Sequence, residues 1–430
     1  MYSMTRIGII GLGYVGLAHA VAFALHGYEV VGVEINERRL MAIEQGRVNG
    51  LPQEVVRRAL ESRLRITNDY EKLRDVDLAF LAVGTPTNPD SSQDLSQIMS
   101  ALDELARVWR SGEGNRVVVV KSTVLPGTTR RLSKWARELG LRKVGFVHSP
   151  EFLVADRALE GVLRPSRVVV GGVDEKSTSI VAAFFREFYR RVGFMPPIHV
   201  VSAEEAELIK YASNIFLALK TVFGNLIGII CEELENCDAW RVIEIVGLDP
   251  RIGKSHLMPG MPYGGPCLVK DVSAFGRFAQ ELANIDFFIS IHRYNEWLRD
   301  RIISILRERL GKLREKHIAV LGMAYKPGVS EIKDSQGFIL ARELLKEGAE
   351  VWIHDVEADA VRDAFTFLDG VKEIKSLEEI CSMDAAIVTL NYDVYRKISC
   401  TNEYPLIVDV VNVTSNASPK TINLYKSMKK

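Results

Sequence analysis

Residues 6–16 read RIGIIGLGYVG. An apolar, β-branched run ends in Gly11, Gly13 and Gly16, which spell GxGxxG. Between a strand and a helix, the first glycine permits a tight turn. The second lets the backbone approach a pyrophosphate, and the third lets helix and strand pack closely, with the helix N-terminus facing the phosphates. The motif alone is weak, because glycine turns also serve packing, but its context strengthens it. After a helical stretch containing AVAFALHG comes the apolar run EVVGVE (29–34). It ends in Glu34 about 20 residues on, where a carboxylate accepts from a ribose 2′-hydroxyl and repels a 2′-phosphate. The expected cofactor is NAD rather than NADP. Arg38 and Arg39 follow and read as a solvated helix face.

Working outward, short apolar runs recur at DLAFLAVG (77–84), RVVVVKS (116–122), KVGFVHS (143–149) and RVVVGG (167–172), separated by helix-length amphipathic stretches. That alternation predicts parallel strands with crossover helices up to about residue 200. From 203 to about 300 the character changes. SAEEAELIKYASNIFLALKTVFGNLIGIICEELENC (202–237) has apolar residues at helical spacing and predicts one long helix, with more helices after the glycine-rich loop at 260–266. Strand signals return in HIAVLGMAYKPG (317–328), EVWIHD (350–355), DAAIVTL (384–390) and LIVDVVN (406–412). The second half repeats the first. The expected fold is α/β: two Rossmann-like parallel-sheet domains joined by a helical central region with a long helix. Its expected domains are 1–202, 203–312 and 313–430. GMAYKPG keeps the strand and turn without the GxGxxG spacing, so no second dinucleotide site is expected; it carries Lys326 instead.

The bulk numbers fit this picture. The chain has 430 residues, 47% hydrophobic and 26% charged, with zero formal net charge. No charge excess exists to hold nucleic acid or a membrane surface. The N-terminus shows no signal-peptide pattern, and no run reads as about 18 apolar residues long enough to span a membrane. The five cysteines form no CxxC pair, and their odd number suits reduced thiols in a cytoplasmic protein. Cys231 and Cys237 lie six apart in a helical stretch and read as buried thiols on different faces; no metal site is expected.

Residues 261–271 read MPYGGPCLVKD, a lone cysteine just past a Gly-Gly-Pro bend. Lys210 and Asn214 lie four apart on the long helix, one turn apart on one face, and both can donate to an oxyanion. With GLGYVG (11–16), VGTPT (83–87), KSTVLPGT (121–128), SPEFL (149–153), ELIKYASN (207–214), LDPRIG (248–253), YGGPCLVKD (263–271) and LGMAYKP (321–327) in this order, the chain resembles the nucleotide-sugar dehydrogenases over nearly its full length.

The resemblance implies an NAD-binding N-terminal domain, a dimerising helical middle and a C-terminal domain that holds the UDP part of a sugar nucleotide. It implies a homodimer that oxidises UDP-glucose to UDP-glucuronate in two NAD-dependent steps. Such chemistry needs a nucleophile, because hydride cannot leave an aldehyde to give an acid until the carbon is tetrahedral. Cys267 is the candidate, passing through a thiohemiacetal and a thioester, with Lys270 beside it to favour the thiolate. Glu151 resembles the family's general base for thioester hydrolysis, its pKa expected to rise through desolvation. Lys210 and Asn214 would hold the oxyanion, while Thr123 and Asp271 would serve the first oxidation. The cofactor would meet Gly11, Gly13, Tyr14, Val15, Gly16, Glu34, Gly84, Thr85, Pro86, Thr123 and Lys270. The sugar nucleotide would meet Phe152, Leu153, Lys210, Asn214, Tyr263, Gly264 and Lys326, with Arg251 reaching the site of a neighbouring subunit.

Two positions depart from the pattern. Ala155, with Asp156 beside it, stands where a second glutamate is usual, and Val411 stands where an arginine usually grips substrate. GGPCLVKD favours a glucose-type sugar over UDP-N-acetylmannosamine, and GDP-mannose dehydrogenases share much of the loop. A non-catalytic nucleotide-sugar sensor is the reading from another class; the intact Cys267, Lys210, Asn214 and Glu151 weigh against it.

Overall fold

The computed structural model describes residues 5–48, 50–109, 116–401, 405–414 and 417–427. The chain divides into two compact units, with the boundary between Ser213 and Asn214. The first is built on strands β1 (Arg6–Ile10), β2 (Glu29–Val33), β3 (Leu64–Thr67), β4 (Leu78–Leu81), β5 (Val117–Val120), β6 (Gly145–His148), β7 (Val168–Gly172) and β8 (Ile198–Ser202). They form one sheet in the order β3-β2-β1-β4-β5-β6-β7-β8. Its helices are α1 (Tyr14–Leu25), α2 (Glu37–Glu44), α3 (Gln53–Ser62), α4 (Ser96–Trp109), α5 (Thr128–Glu138), α6 (Ala158–Leu163) and α7 (Glu175–Val192). The order turns back at β1, the arrangement in which a ligand binds beyond the strand ends at the switch point between β1 and β4. The expected all-parallel sheet is corrected at one place: β7 runs antiparallel to β6, with Val147 opposite Gly172. β3 and β8 were not expected, and both are short edge strands with solvent-facing positions.

Sheet alternation explains the two apolar layers. Ile7, Ile9, Leu78, Phe80, Val117 and Val119 face one core, while Ile10, Ala79, Leu81, Val118 and Val120 face the other. A strand covered on both faces reads as an unbroken apolar run, which is why residues 117–120 are four valines. Each contributes about 1.5–3 kcal/mol by burial.

A helix of 31 residues, α8 (Ala203–Glu233), carries the chain across the unit boundary. By length and composition it is long and apolar enough to cross a membrane, which the sequence reading did not credit. Its polar residues Glu207, Lys210, Asn214 and Asn225 are buried and each bonds to protein groups, as in a core helix. Glu207 caps α5 from outside it, accepting from the Gly127 and Thr129 amides at 2.6 Å each.

The second unit continues with α9 (Ala239–Val246), α10 (Leu268–Ala283) and α11 (Phe287–Leu310). A sheet follows, of β9 (His317–Leu321), β10 (Glu350–His354), β11 (Lys372–Glu373), β12 (Ala385–Val388), β13 (Leu406–Asp409) and β14 (Thr421–Asn423), with α12 (Gln336–Lys346) and α13 (Ala358–Phe367). Its order is β11-β10-β9-β12-β13-β14, and each pairing is parallel. Here again the two faces feed separate cores.

The cysteine reading is overturned. Cys231 is bonded to Cys237 and Cys381 to Cys400. Helical spacing separated the first pair on paper, but α8 ends at Glu233, so Cys237 lies beyond the helix where the chain turns back. The thiol argument for a reducing compartment falls with it.

Candidate active site

In the first unit, Gly11 closes β1 with φ +87°, a conformation that glycine adopts without steric cost. A Cβ on Gly16, in the first turn of α1, would stand 1.9 Å from the Gly11 carbonyl oxygen. The turn therefore tolerates glycine alone, and Gly13, the N-cap of α1, lines a cavity. Glu34 accepts from the Leu12 amide at 3.1 Å and from the Asn36 amide at 2.9 Å. A cavity of about 790 Å³ opens beside the turn, lined among others by Gly11, Gly13, Glu34, Arg39, Tyr70 and Gly84. Arg39, read as a solvated residue, lies on that wall. Tyr14, Val15 and Gly16 form the start of α1. Thr85 donates to the Thr123 carbonyl at 2.8 Å, and Pro86 accepts from the Asp94 amide. Among the cofactor candidates, Lys270 belongs to the second unit.

Also in the first unit lies a buried charged cluster. Lys210 Nζ stands 3.1 Å from Glu151 Oε1, and both side chains are almost wholly shielded. The Leu153 amide donates to Glu151 Oε2 at 2.5 Å. Phe152 lies 3.8 Å from the Arg167 guanidinium and 5.5 Å from the Lys210 ammonium, ring centre to cation. Burial alone would push the Glu151 carboxyl up. The Lys210 ammonium, the Leu153 amide and Lys121 outweigh it and hold the group below its usual value. The expected rise is thus corrected: desolvation acts, but positive charge wins. Asp156 is exposed, near Arg157, and the side chain of Ala155 lies outside the described residues.

Beneath Glu151 sits Lys121, at the end of β5. Its ammonium donates to the Pro150 carbonyl at 3.2 Å, and burial lowers its pKa to about 7. His19 and His148 are buried beside it and lowered to about 3, chiefly by desolvation. In the sequence Lys121 is only the first residue of KSTVLPGT, with no local pattern to mark it as buried.

In the second unit, Cys267 is exposed, stands outside both disulfides and occupies the N-cap of α10. The positive end of a helix dipole favours a thiolate there. Its carbonyl accepts from the Asp271 amide, at 3.0 Å. Asp271 is buried, accepts from Asn214 Nδ2 at 2.6 Å and stands 2.5 Å from the Lys270 ammonium. Tyr263 is clamped by Asn295, whose side chain accepts from its amide and donates to its carbonyl at 2.8 and 2.9 Å, and by Gln336, which donates to that carbonyl at 2.7 Å. Neither clamp was foreseen, since both lie far along the chain. Gly264 packs so that a Cβ would meet the Asp334 carbonyl oxygen at 2.7 Å. Arg251 is exposed and paired with Asp249 at 2.6 Å. Lys326 lies over the Tyr325 ring at 5.9 Å. Val411 is half-buried against an apolar cluster, which accounts for an apolar residue there. Among the described residues, no group of three or more His, Cys, Asp or Glu is placed to hold a metal ion.

Comparison with known proteins decides the family. The UDP-glucose/GDP-mannose dehydrogenase family matches through its NAD binding domain over residues 5–190, its central domain over 204–297 and its UDP binding domain over 319–416. The chain belongs to this family. Among its relatives, UDP-glucose 6-dehydrogenase AglM of Haloferax volcanii is 34% identical over 91% of the chain and 93% of its own length. A UDP-glucose 6-dehydrogenase of Rhizobium meliloti is 31% identical over 95% of each. A solved UDP-glucose dehydrogenase from the hyperthermophilic archaeon Pyrobaculum islandicum superposes with a TM-score of 0.88 at 36% identity, covering 97% of this chain and 96% of that one.

Proposed function

We propose that this dehydrogenase oxidises the C6 alcohol of UDP-glucose to the carboxylate of UDP-glucuronate, through an acyl group carried on Cys267. The names of its relatives support the substrate. The observation that carries the chemistry is Cys267 itself, exposed and at the N-terminus of a 16-residue helix. The cavity at Gly11 and Gly13, with the Glu34 carboxylate on its wall, fits the adenosine end of NAD and disfavours a 2′-phosphate. NAD, when bound, accepts hydride in each of the two oxidations.

The chain's own residues do the rest. As the first hydride leaves C6, the hydroxyl proton passes to Asp271, through a water that Thr123 orients. The Cys267 thiolate then adds to the aldehyde carbon, and Lys210 and Asn214 donate to the oxyanion so formed. Loss of the second hydride collapses the adduct to a thioester. Water attacks the acyl carbon and gives its proton to Glu151. The C–S bond breaks, and the thiolate returns to Cys267. Each donor stands beside the acid it serves: Lys210 holds Glu151 and Asn214 holds Asp271. Phe152, Leu153, Tyr263, Gly264 and Lys326 contact the sugar nucleotide.

The active form is a homodimer. Phe216, Phe223 and Ile230 recur every seven residues on α8 and are exposed, an apolar stripe for a second copy to cover; Arg251 would then reach its neighbour's substrate. This reading places the enzyme in the cytoplasm, where nucleotide sugars are made, although two disulfides are unusual there. The test is NADH formed per sugar. Two NADH per UDP-glucose, with Cys267→Ser stalled, is the expected result. One NADH would remove the role of Cys267. Turnover with UDP-N-acetylmannosamine or GDP-mannose in place of UDP-glucose would move the substrate.

A further inference from the structure

Lys121 presents a problem that packing does not solve. Its side chain is 5% exposed, and burying an ammonium costs several kcal/mol unless something compensates. The aliphatic stem would fill the same space if it ended in a methyl group. Around the ammonium lie Glu151, Lys210 and His148, His19 from α1 and the Phe185 ring from α7 at 5.9 Å. Both imidazoles are driven towards the neutral form, so the cluster holds two lysines against one carboxylate. Tyr14 also faces Glu151, and its hydroxyl is raised to about 12, so it adds no charge near neutrality.

The geometry gives this charge one mechanical and one electrostatic consequence. The hydrogen bond to the Pro150 carbonyl fixes the peptide that immediately precedes Glu151. The field reaches Glu151 together with that of Lys210. We propose that Lys121 is a positioning residue for thioester hydrolysis: it anchors the Pro150 carbonyl and adds a second positive charge that keeps Glu151 a carboxylate between turnovers.

This inference rests on the reading of Glu151 as the base. Once Glu151 has taken the water's proton, two cations face a neutral acid, and that imbalance drives the proton off again. Lys121, poised near neutrality, also makes the strength of the base depend on its own charge. The first hydride transfer involves neither Lys121 nor Pro150.

The experiment forms the acyl-enzyme rapidly from UDP-glucose and NAD and follows its hydrolysis against pH, alongside the first hydride transfer. Lys121→Met is expected to move the acid limb of hydrolysis upward, slowing that step about tenfold on the acid side, with the first hydride transfer changed less than about twofold. Lys121→Arg, which keeps the charge, is expected to leave the limb in place. An unmoved limb in Lys121→Met, or an equal fall in both steps, overturns the proposal. If neither variant folds, Lys121→Gln, which keeps a donor for the Pro150 carbonyl without the charge, decides: a limb moved upward supports the proposal, and an unmoved one overturns it. Glu151→Gln separates the two readings. If that variant hydrolyses at the wild-type rate, the base assignment fails, and this inference fails with it.

Discussion

The two sheet-bearing units solve one problem twice and then diverge. In the first, β1 ends at Gly11, and a Cβ on Gly16 would stand 1.9 Å from the Gly11 carbonyl oxygen. In the second, β9 ends at Gly322, with φ +118°, and a Cβ on Gly337 would stand 1.8 Å from the Gly322 carbonyl oxygen. The strand-end acids match as well. Glu34 accepts from Leu12 and Asn36; Asp355 accepts from Met323 at 2.6 Å, Ala324 at 2.8 Å and Glu357 at 2.9 Å. What differs is the distance along the chain between the paired glycines. In the first unit α1 starts at Tyr14, directly after the turn; in the second α12 starts only at Gln336. The first helix can point its N-terminus at a pyrophosphate. In the second, the inserted loop carries Tyr325 and Lys326. The glycine pair and the acid thus build the same strand–turn–helix frame in both units, and the spacing within it sets where the following helix begins.

Replacing both close-approach glycines breaks the frame and carries the largest expected effect. Gly16→Ala and Gly337→Ala each force a carbonyl contact far inside van der Waals distance and should cost about 3 kcal/mol or more. Thermal unfolding should register both. Titration should show NAD binding lost in Gly16→Ala and UDP-glucose binding lost in Gly337→Ala. If both variants lose the same ligand, the division of labour between the frames is wrong.

The disulfides come next, because both lie in the second unit. Cys381 and Cys400 are separated by 19 residues, and opening a loop of that order costs about 3 kcal/mol in the chain-entropy model. Calorimetry with reductant should lower the transition of the second unit and leave that of the first in place. Equal lowering of both would mean that the units unfold as one.

The acids give a smaller effect. Asp355→Ala orphans three buried or half-buried amides and should cost about 1–3 kcal/mol of stability with no change in the KM for NAD. Glu34→Ala should cost a similar amount and also relax the preference for NAD over NADP, read as a ratio of kcat/KM values.

The effect that is smallest at each step, though it accumulates over several pH units, concerns acid. His148 is lowered to about 3 in the folded chain, whereas an unfolded histidine titrates near 6.5. Between those values the unfolded state binds the extra proton, so stability is lost as pH falls through this window. The slope is at most about 1.4 kcal/mol per pH unit for one group. His148→Gln should flatten the acid side of the stability curve by about one proton, and an unchanged slope would mean that His148 is not held neutral.

Much of this was legible in the chain. GxGxxG, Glu34 and the four-valine strand announce the first frame, because buried parallel strands leave continuous apolar runs. Gly322 was legible, but its partner Gly337 was not, since the inserted loop destroys the spacing. The edge strands β3, β8, β11 and β14 are short and partly solvent-facing, so periodicity is faint. The antiparallel turn into β7 leaves no mark in composition. Cys231 and Cys237 were misread because helical spacing was carried past Glu233, where the helix ends. The Glu151 shift was given the wrong sign because the charges that lower it, Lys210 first and then Lys121, lie 59 and about 30 residues away in sequence and are adjacent only once folded.

The central claim is that Cys267 carries the acyl group and Glu151 releases it. Its most direct test is the mass of the Cys267 peptide after Glu151→Gln is quenched in the presence of UDP-glucose and NAD. The account predicts a UDP-glucuronyl adduct on Cys267, accumulating with two NADH formed per site. Two NADH per site with an unmodified Cys267 peptide and free UDP-glucuronate would contradict it.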